Sequence, residues 1–165
     1  MSPDEREQEA FAEIAKARLA AALLHVPARY RDAEPLGPSE VGILLHGGVG
    51  VGKTHTAAQY ALGAILEGRR VRWVNIPGWL CQLRESFNGN VQADSIGSIA
   101  RASIVVLDDL GVENPTEWAL ETLYALVSRL YDDKCIVYAT SNLKPSELAD
   151  RVGPRIMSRL AEMCT

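Results

Sequence analysis

Eight consecutive residues, Gly47-Gly48-Val49-Gly50-Val51-Gly52-Lys53-Thr54, combine glycines that open a loop with a cation and a hydroxyl that close it. The spacing, G-x-x-x-x-G-K-T, suits a polyphosphate. Glycines let successive backbone N–H groups turn inward around α- and β-phosphates, and a following helix N-terminus adds partial positive charge. Lys53 would reach the β- and γ-phosphates, and the Thr54 hydroxyl would hold Mg²⁺. The apolar run Val41–His46 before the loop reads as a strand, and Thr56–Leu62 after it favours a helix, which is the context a P-loop needs. A glycine-rich turn beside a chance lysine is the competing reading. Three anchors in register between a strand and a helix weigh against it.

Two further constellations complete the chemistry. Ile104-Val105-Val106-Leu107 is a continuous apolar run, as a strand covered on both faces should be, and it delivers Asp108-Asp109. Carboxylates at the C-terminal tip of a buried strand sit where open α/β sheets bind ligands. Asp108 is read as the acid that orients the Mg²⁺ shell, and Asp109 as the group that positions or deprotonates an attacking water; a strand-ending turn is the alternative. Cys135–Ala139 is a fourth buried strand that carries Thr140-Ser141-Asn142 to its end. The Asn142 amide there would sense the γ-phosphate or the water, or else cap a turn. Arg155 and Arg159 are four apart on the last helix and share a face, where they either solvate the surface or present guanidinium to a neighbouring subunit's phosphate.

The elements that must position these residues alternate along the chain. Residues 4–26 read as one helix whose stripe Phe11, Ala15, Leu19, Ala22, Leu23 and Val26 should dock on a core, and Pro27 ends it. A Pro/Gly connector follows to Glu40, in which Tyr30 and Arg31 either border a nucleotide base or simply pack. A second strand at 70–75, a short helix at 76–87 with Trp79, Leu80 and Leu83 inward, a Gly/Asn loop over 88–90, and a helix at 95–102 lead to the carboxylate strand. Asn114-Pro115-Thr116-Glu117 reads as a cap, first-turn proline and glutamate opening a helix to about Tyr131, with Leu120, Leu123, Tyr124, Val127 and Leu130 inward. Trp118 lies nine residues before Val127 and so faces away, exposed or against a partner. Gly153 and Pro154 separate the last two helices. Such alternation predicts an α/β fold with a mostly parallel sheet.

Composition sets the limits. The 165 residues, 47% hydrophobic and 23% charged, suffice for one buried core. A net charge of −4 argues against a surface that coats nucleic acid everywhere, so any DNA contact must be focal. Cys81, Cys135 and Cys164 are odd in number and far apart, which suits a reduced cytoplasmic compartment. No apolar run is long enough for a membrane span.

In this pattern the chain resembles AAA+ ATPases of the DnaC/DnaI type, bacterial and phage loaders of the replicative helicase. The resemblance is carried by GVGVGKTHTAA (Gly47–Ala58, with His55 after the GKT), VVLDDLGVENPTEWALETLY (Val105–Tyr124), ATSNL (Ala139–Leu143) and ELADRVGPRIMSRLAEM (Glu147–Met163), in the family's order. It implies a three-layer αβα P-loop NTPase with the initiator-type extra helix, here Pro77–Phe87. ATP and Mg²⁺ would lie at Lys53, Thr54 and Asp108, with His55 adjoining, Asn142 as sensor, and Arg159 as the finger acting on a neighbour's ATP, supported by Arg155. Single-stranded DNA would meet Arg84, Phe87 and Trp118, a cation and stacking rings; core packing is the alternative for Phe87. Residues 1–34 would form an N-terminal helix and linker, and 35–165 an ATPase core that lacks the final strand and sensor-two region. Asp109 stands where the family commonly has glutamate.

The expected activity is thus ATP-driven loading of a replicative helicase, with self-association through the finger. Three competitors remain open: a transposition helper of the IstB type, which shares GKTH and the carboxylate strand; a P-loop kinase, for which the arginine-rich lid is missing; and a nucleotide-gated binding module with little turnover.

Overall fold

The computed structural model describes residues 2–89, 91–111 and 115–165. Four strands, β1 (Ile43–His46), β2 (Val71–Asn75), β3 (Ile104–Leu110) and β4 (Ile136–Ser141), form one parallel sheet in the order β1-β4-β3-β2. Around it lie α1 (Pro3–Leu23), α2 (Lys53–Leu66), α3 (Ile76–Ser86), the single turn α4 (Ile96–Ile99), α5 (Glu117–Asp132), α6 (Pro145–Val152) and α7 (Pro154–Met163). The continuous apolar sequence of β3 has a simple cause: both faces of the strand are covered. Ile104 and Val106 join Tyr138 against Ala57, Ala61 and Leu62 of α2. Val105 and Leu107 face the opposite layer with Trp79, Ile99, Leu126, Leu148 and Ile156. The expected three layers are therefore present, and the ends of β1, β3 and β4 meet at one edge.

Local structure departs from the sequence reading at several points. β3 does not stop at Asp108 but continues to Leu110, with a register break between Leu107 and Leu110 where Asp109 adopts a left-handed φ of 62°. The helix expected at 95–102 is the four-residue α4. The cap of α5 is Thr116, whose side chain accepts from the Ala119 N–H, so Pro115 precedes the helix instead of opening it; Asn114 lies outside the described residues, as does Asn90. Both Asn114 and Thr116 are cap-forming types, and only the chain path chooses between them. At the other end of the sheet, Cys164 bridges Gly42 in parallel and the Thr165 N–H donates to the Gly42 carbonyl (3.0 Å). The outer edge of β1 is thus met at Gly42 by this isolated bridge.

The N-terminal helix differs most. It ends at Leu23, ahead of Pro27, and the Arg31 guanidinium donates to the carbonyls of Leu23 (3.1 Å), Val26 (2.9 Å) and Leu24 (3.3 Å) that leave it. Arg31 thus clasps the end of the helix, the packing role that the sequence left open for it. Of the apolar stripe only Val26 is buried and Ala22 and Leu23 half-buried, whereas Phe11 is 63% exposed. The stripe therefore docks on the core only at its C-terminal end, where Ala22 and Leu23 join Val26 beside α2, and its N-terminal part stays uncovered.

The connector after α1 runs along α2, held by Leu36 N–H to Gln59 O (3.0 Å) and Gln59 Nε2 to Glu34 O (3.0 Å). Gly63 makes this approach possible, because a Cβ there would fall 1.7 Å from the Leu36 carbonyl oxygen. Helix propensity alone predicts that Gly63→Ala gains ~1 kcal/mol. The backbone clash reverses the sign, and urea unfolding should show a loss of about 2 kcal/mol or more.

Candidate functional site

The glycine loop between β1 and α2 has the backbone its sequence requires. Gly50 (φ 83°) and Gly52 (φ 87°) occupy left-handed conformations that disfavour any side chain, and a Cβ at either would meet nothing within 4 Å, so the loop borders open space. Gly52 is the N-cap of α2 and supplies no side chain to its first N–H groups. By contrast α1, α3 and α5 are capped by Ser2, Asn75 and Thr116. A 14-residue helix whose N-terminal donors and dipole are left for something outside the chain fits an anion. Lys53 Nζ donates to the carbonyls of Gly47 (2.8 Å) and Gly48 (2.7 Å), which fixes the loop's curl and places a cation at its mouth. Val49 and Val51 stand exposed on the rim. His55, also exposed, meets Tyr30 edge-on with ring centroids 6.2 Å apart, which leaves Tyr30 beside the loop's helix.

Thr54 and Asp108 come together across the sheet. The Thr54 hydroxyl donates to Asp108 Oδ1 (3.1 Å), and the Thr140 hydroxyl donates to the same oxygen (2.7 Å). Thr140 also accepts the Asp109 N–H (3.0 Å), and this bond holds the left-handed turn of Asp109 in place. The Asp109 carboxylate, half-buried, accepts from Asn75 Nδ2 (3.0 Å), while Asn75 Oδ1 caps α3 through the Gly78 N–H (3.0 Å). Asn75 and Thr140 are site residues that the sequence reading missed. Asn75 ends β2 and Thr140 is the penultimate residue of β4, the two strands adjacent to β3, and Asn75 is the register partner of Asp108. Their strand-terminal position was the available signal.

Asp108 is 5% exposed. Burial pushes its carboxyl above the ordinary range; the Thr140 hydroxyl opposes this, the Asp109 charge adds to it, and Thr54 and Asn75 oppose it again. An anionic pair beside a hydroxyl is the donor set a hard divalent cation takes, so Thr54 and Asp108 fit Mg²⁺, which would offset the cost of the buried charge. Asn142 is exposed at the end of β4, open toward the same edge.

The two arginines stand apart from this cluster, on α7 where it packs against α5. The Arg155 guanidinium lies over the Tyr124 ring at 4.1 Å, and that of Arg159 lies 5.0 Å from Tyr124 and 5.5 Å from Tyr131. Aromatic faces thus hold both cations without neutralising them. The third group does assemble. Arg84 sits 5.3 Å over Trp118, and Phe87 meets the same indole edge-on at 6.3 Å. Phe87 is 74% exposed, which removes the core-packing alternative, whereas Trp118 is half-buried beneath the other two and not fully exposed as expected.

The raised Asp108 carboxyl has a thermodynamic sign. The fold prefers its protonated form, so stability declines as pH rises through the unfolded carboxyl's value to the raised folded one, and at neutral pH the full cost is present. Asp108→Asn keeps an acceptor for Thr54 and Thr140 without the charge. Nucleotide-free, it should melt above the parent at neutral pH, with the gap closing on acidification; any Mg²⁺-dependent ATP hydrolysis by the parent should fall by ~100-fold or more. A differential scanning fluorimetry pH series beside a phosphate-release assay reads both.

Comparison with known proteins places the chain in a family. A family model described as IstB-like ATP binding protein matches residues 39–159, an interval that holds the glycine loop, both carboxylates and Arg159. An ATP-binding protein of an insertion sequence in Mycobacterium tuberculosis is 30% identical over 122 residues, covering 72% of this chain and 48% of that protein. The replicative helicase loader DnaC of Buchnera aphidicola subsp. Baizongia pistaciae is 22% identical over 120 residues, 71% of this chain and 49% of the loader. This chain spans about half the length of these relatives. A crystal structure of the DnaC helicase loader superposes with a TM-score of 0.72 at 22% identity, over 84% of this chain and 97% of that one. The fold is that of AAA+ P-loop ATPase domains, and the chain belongs to the IstB-like ATP-binding protein family.

Proposed function

We propose that this chain hydrolyses ATP to drive assembly on single-stranded DNA and to remodel a replicative helicase. The observation that carries the reading is the pairing of an uncapped P-loop helix with Asp108 and Asp109, each held by a side chain from a neighbouring strand. Lys53 and the α2 N-terminus would hold the phosphates, and Thr54 and Asp108 would hold Mg²⁺, which would supply charge neutralisation during phosphoryl transfer. Asp109, aimed by Asn75, orients the attacking water and receives its proton. The water oxygen bonds to the γ-phosphorus as the bond to the β-bridging oxygen breaks, leaving ADP and phosphate. Asn142 senses the γ-phosphate. Arg159, with Arg155 beside it on the Tyr124 face, reaches the ATP of an adjoining copy and stabilises the charge spread over its γ-oxygens.

The helicase partner rests on the likeness to DnaC loaders, and the DNA contact on the Arg84–Trp118–Phe87 cluster, a cation and two rings on one surface. A second reading has its own support. The 30% identical insertion-sequence protein and the family model favour a transposition helper, in which the same motor acts on a transposase. Pull-down of the host replicative helicase against a transposase, with and without ATP, separates the two; ATP-dependent retention of transposase alone would replace the loader reading.

Lys53→Ala should abolish ATP binding by calorimetry. Arg159→Ala should bind ATP normally yet lose cooperative hydrolysis, on the order of a thousandfold in kcat. Normal turnover in that variant would remove the finger role. Joint Arg84→Ala and Trp118→Ala substitution should weaken single-strand affinity by ~10-fold or more at fixed salt, and unchanged affinity counts against this surface.

A further inference from the structure

The chain keeps a second cationic feature at the opposite end of the sheet from the P-loop, where β2 begins. A groove of about 840 Å³ runs between α1 and the segments around Arg70 and Arg101; Ala15, Arg18, Leu19 and Ala22 form its α1 wall. Arg72 on its floor is paired with Asp94 and Arg69 with Glu40, both at 2.9 Å. Arg18, Arg70 and Arg101 have no side-chain partner among the described residues. The apolar part of the wall continues past the groove, since Phe11 lies one turn beyond Ala15 and is 63% exposed, with Ile14 at 49%. Beyond these the helix turns acidic: Asp4, Glu5, Glu7 and Glu9 against the single cation Arg6.

One helix therefore has an acidic end and an apolar middle, and its other end borders an arginine floor. That arrangement complements itself. We infer that two copies of this chain pair α1 against α1 in antiparallel fashion about Ala15, each laying its acidic end over the other's arginine groove. With the crossing at Ala15, Phe11 of one copy lies opposite Leu19 of the other, Gln8 opposite Ala22, and Asp4 opposite Val26. Asp4 and Glu7 lie seven and four residues before Phe11, on its face of the helix, so they reach the level of the other copy's groove. The small Ala15 lets the helices approach at the centre. The contact is isologous, as a two-fold axis demands.

Nucleic acid is the alternative occupant of an arginine groove. It is disfavoured because phosphates following this wall would meet the apolar Phe11–Leu19 stripe and then four carboxylates. The pairing is also separate from assembly through Arg159. It uses the sheet end away from the nucleotide and needs no ATP.

Sedimentation equilibrium of the nucleotide-free chain, carrying Lys53→Ala to exclude ATP-driven assembly, tests the pairing. The expected result is a dimer that weakens with added salt. Phe11→Glu, at an exposed position that the core does not use, should give a monomer with an unchanged melting temperature. Asp4→Arg with Glu7→Arg should weaken association by ~10-fold or more, as should Arg70→Glu with Arg101→Glu, and mixing those two variants should restore a heterodimer. A parent chain that stays monomeric at tens of micromolar would overturn the inference. So would a dimer indifferent to Phe11→Glu, charge variants that do not rescue each other, or a monomer that binds an oligonucleotide through Arg70 and Arg101.

Discussion

A single buried carboxylate ties the candidate site of this molecule together. Asp108 ends the fully covered part of β3, and one of its oxygens accepts hydroxyls from Thr54 on α2 and Thr140 on β4. Three elements distant in sequence meet at that atom. The charge costs free energy in its buried position, and two neutral hydroxyls reduce the cost without cancelling it. The site is therefore poised: a cation placed there gains from relieving a cost already incurred in folding. The sheet core, dry on both faces, holds the carboxylate where water cannot solvate it fully.

The second carboxylate is handled differently. Asp109 cannot follow the strand and keep its side chain at the tip, so the chain passes through a left-handed residue and a register break before β3 resumes at Leu110. Such a conformation costs of order 1 kcal/mol or more for a non-glycine residue. Two bonds hold it, from the Asp109 N–H to Thr140 and from Asn75 to its carboxylate. Asn75 also caps α3, so the orientation of Asp109 is coupled to the start of the helix whose far end carries Arg84 and Phe87. This is a covalently short route, along one helix, between the candidate nucleotide site and the proposed DNA surface.

What the sequence could convey follows from the range of each signal. The glycine loop is legible because its function lies in consecutive backbone conformations that residue type dictates, and β3 is legible because two covered faces leave no polar positions. Asn75 and Thr140 were not, because their value comes from strand register, which joins residues 31 to 34 positions apart. Periodicity also identified the α1 stripe correctly as apolar, but a stripe carries no information on whether something covers it. Trp118 shows the same limit. Its angle on α5 was right to point away from Val127, yet Arg84 and Phe87, which partly cover it, come from α3.

The arrangement of cations across the molecule carries the last step. Arg155 and Arg159 rest on tyrosine faces, and Arg84 on an indole, none of them ion-paired among the described residues. A carboxylate partner would hold such side chains as firmly, but it would cancel the charge that an incoming phosphate has to feel. An aromatic face restrains the guanidinium through its quadrupole and leaves the net charge intact. In a chain of net charge −4, with acids enough to pair every arginine, these three rest on rings instead, Arg84 and Arg155 exposed and Arg159 half-buried, so their charge is not cancelled within the chain. The proposed contacts with a neighbour's nucleotide and with a DNA strand both require this, and both would be weakened by replacing ring with carboxylate while the fold stayed the same.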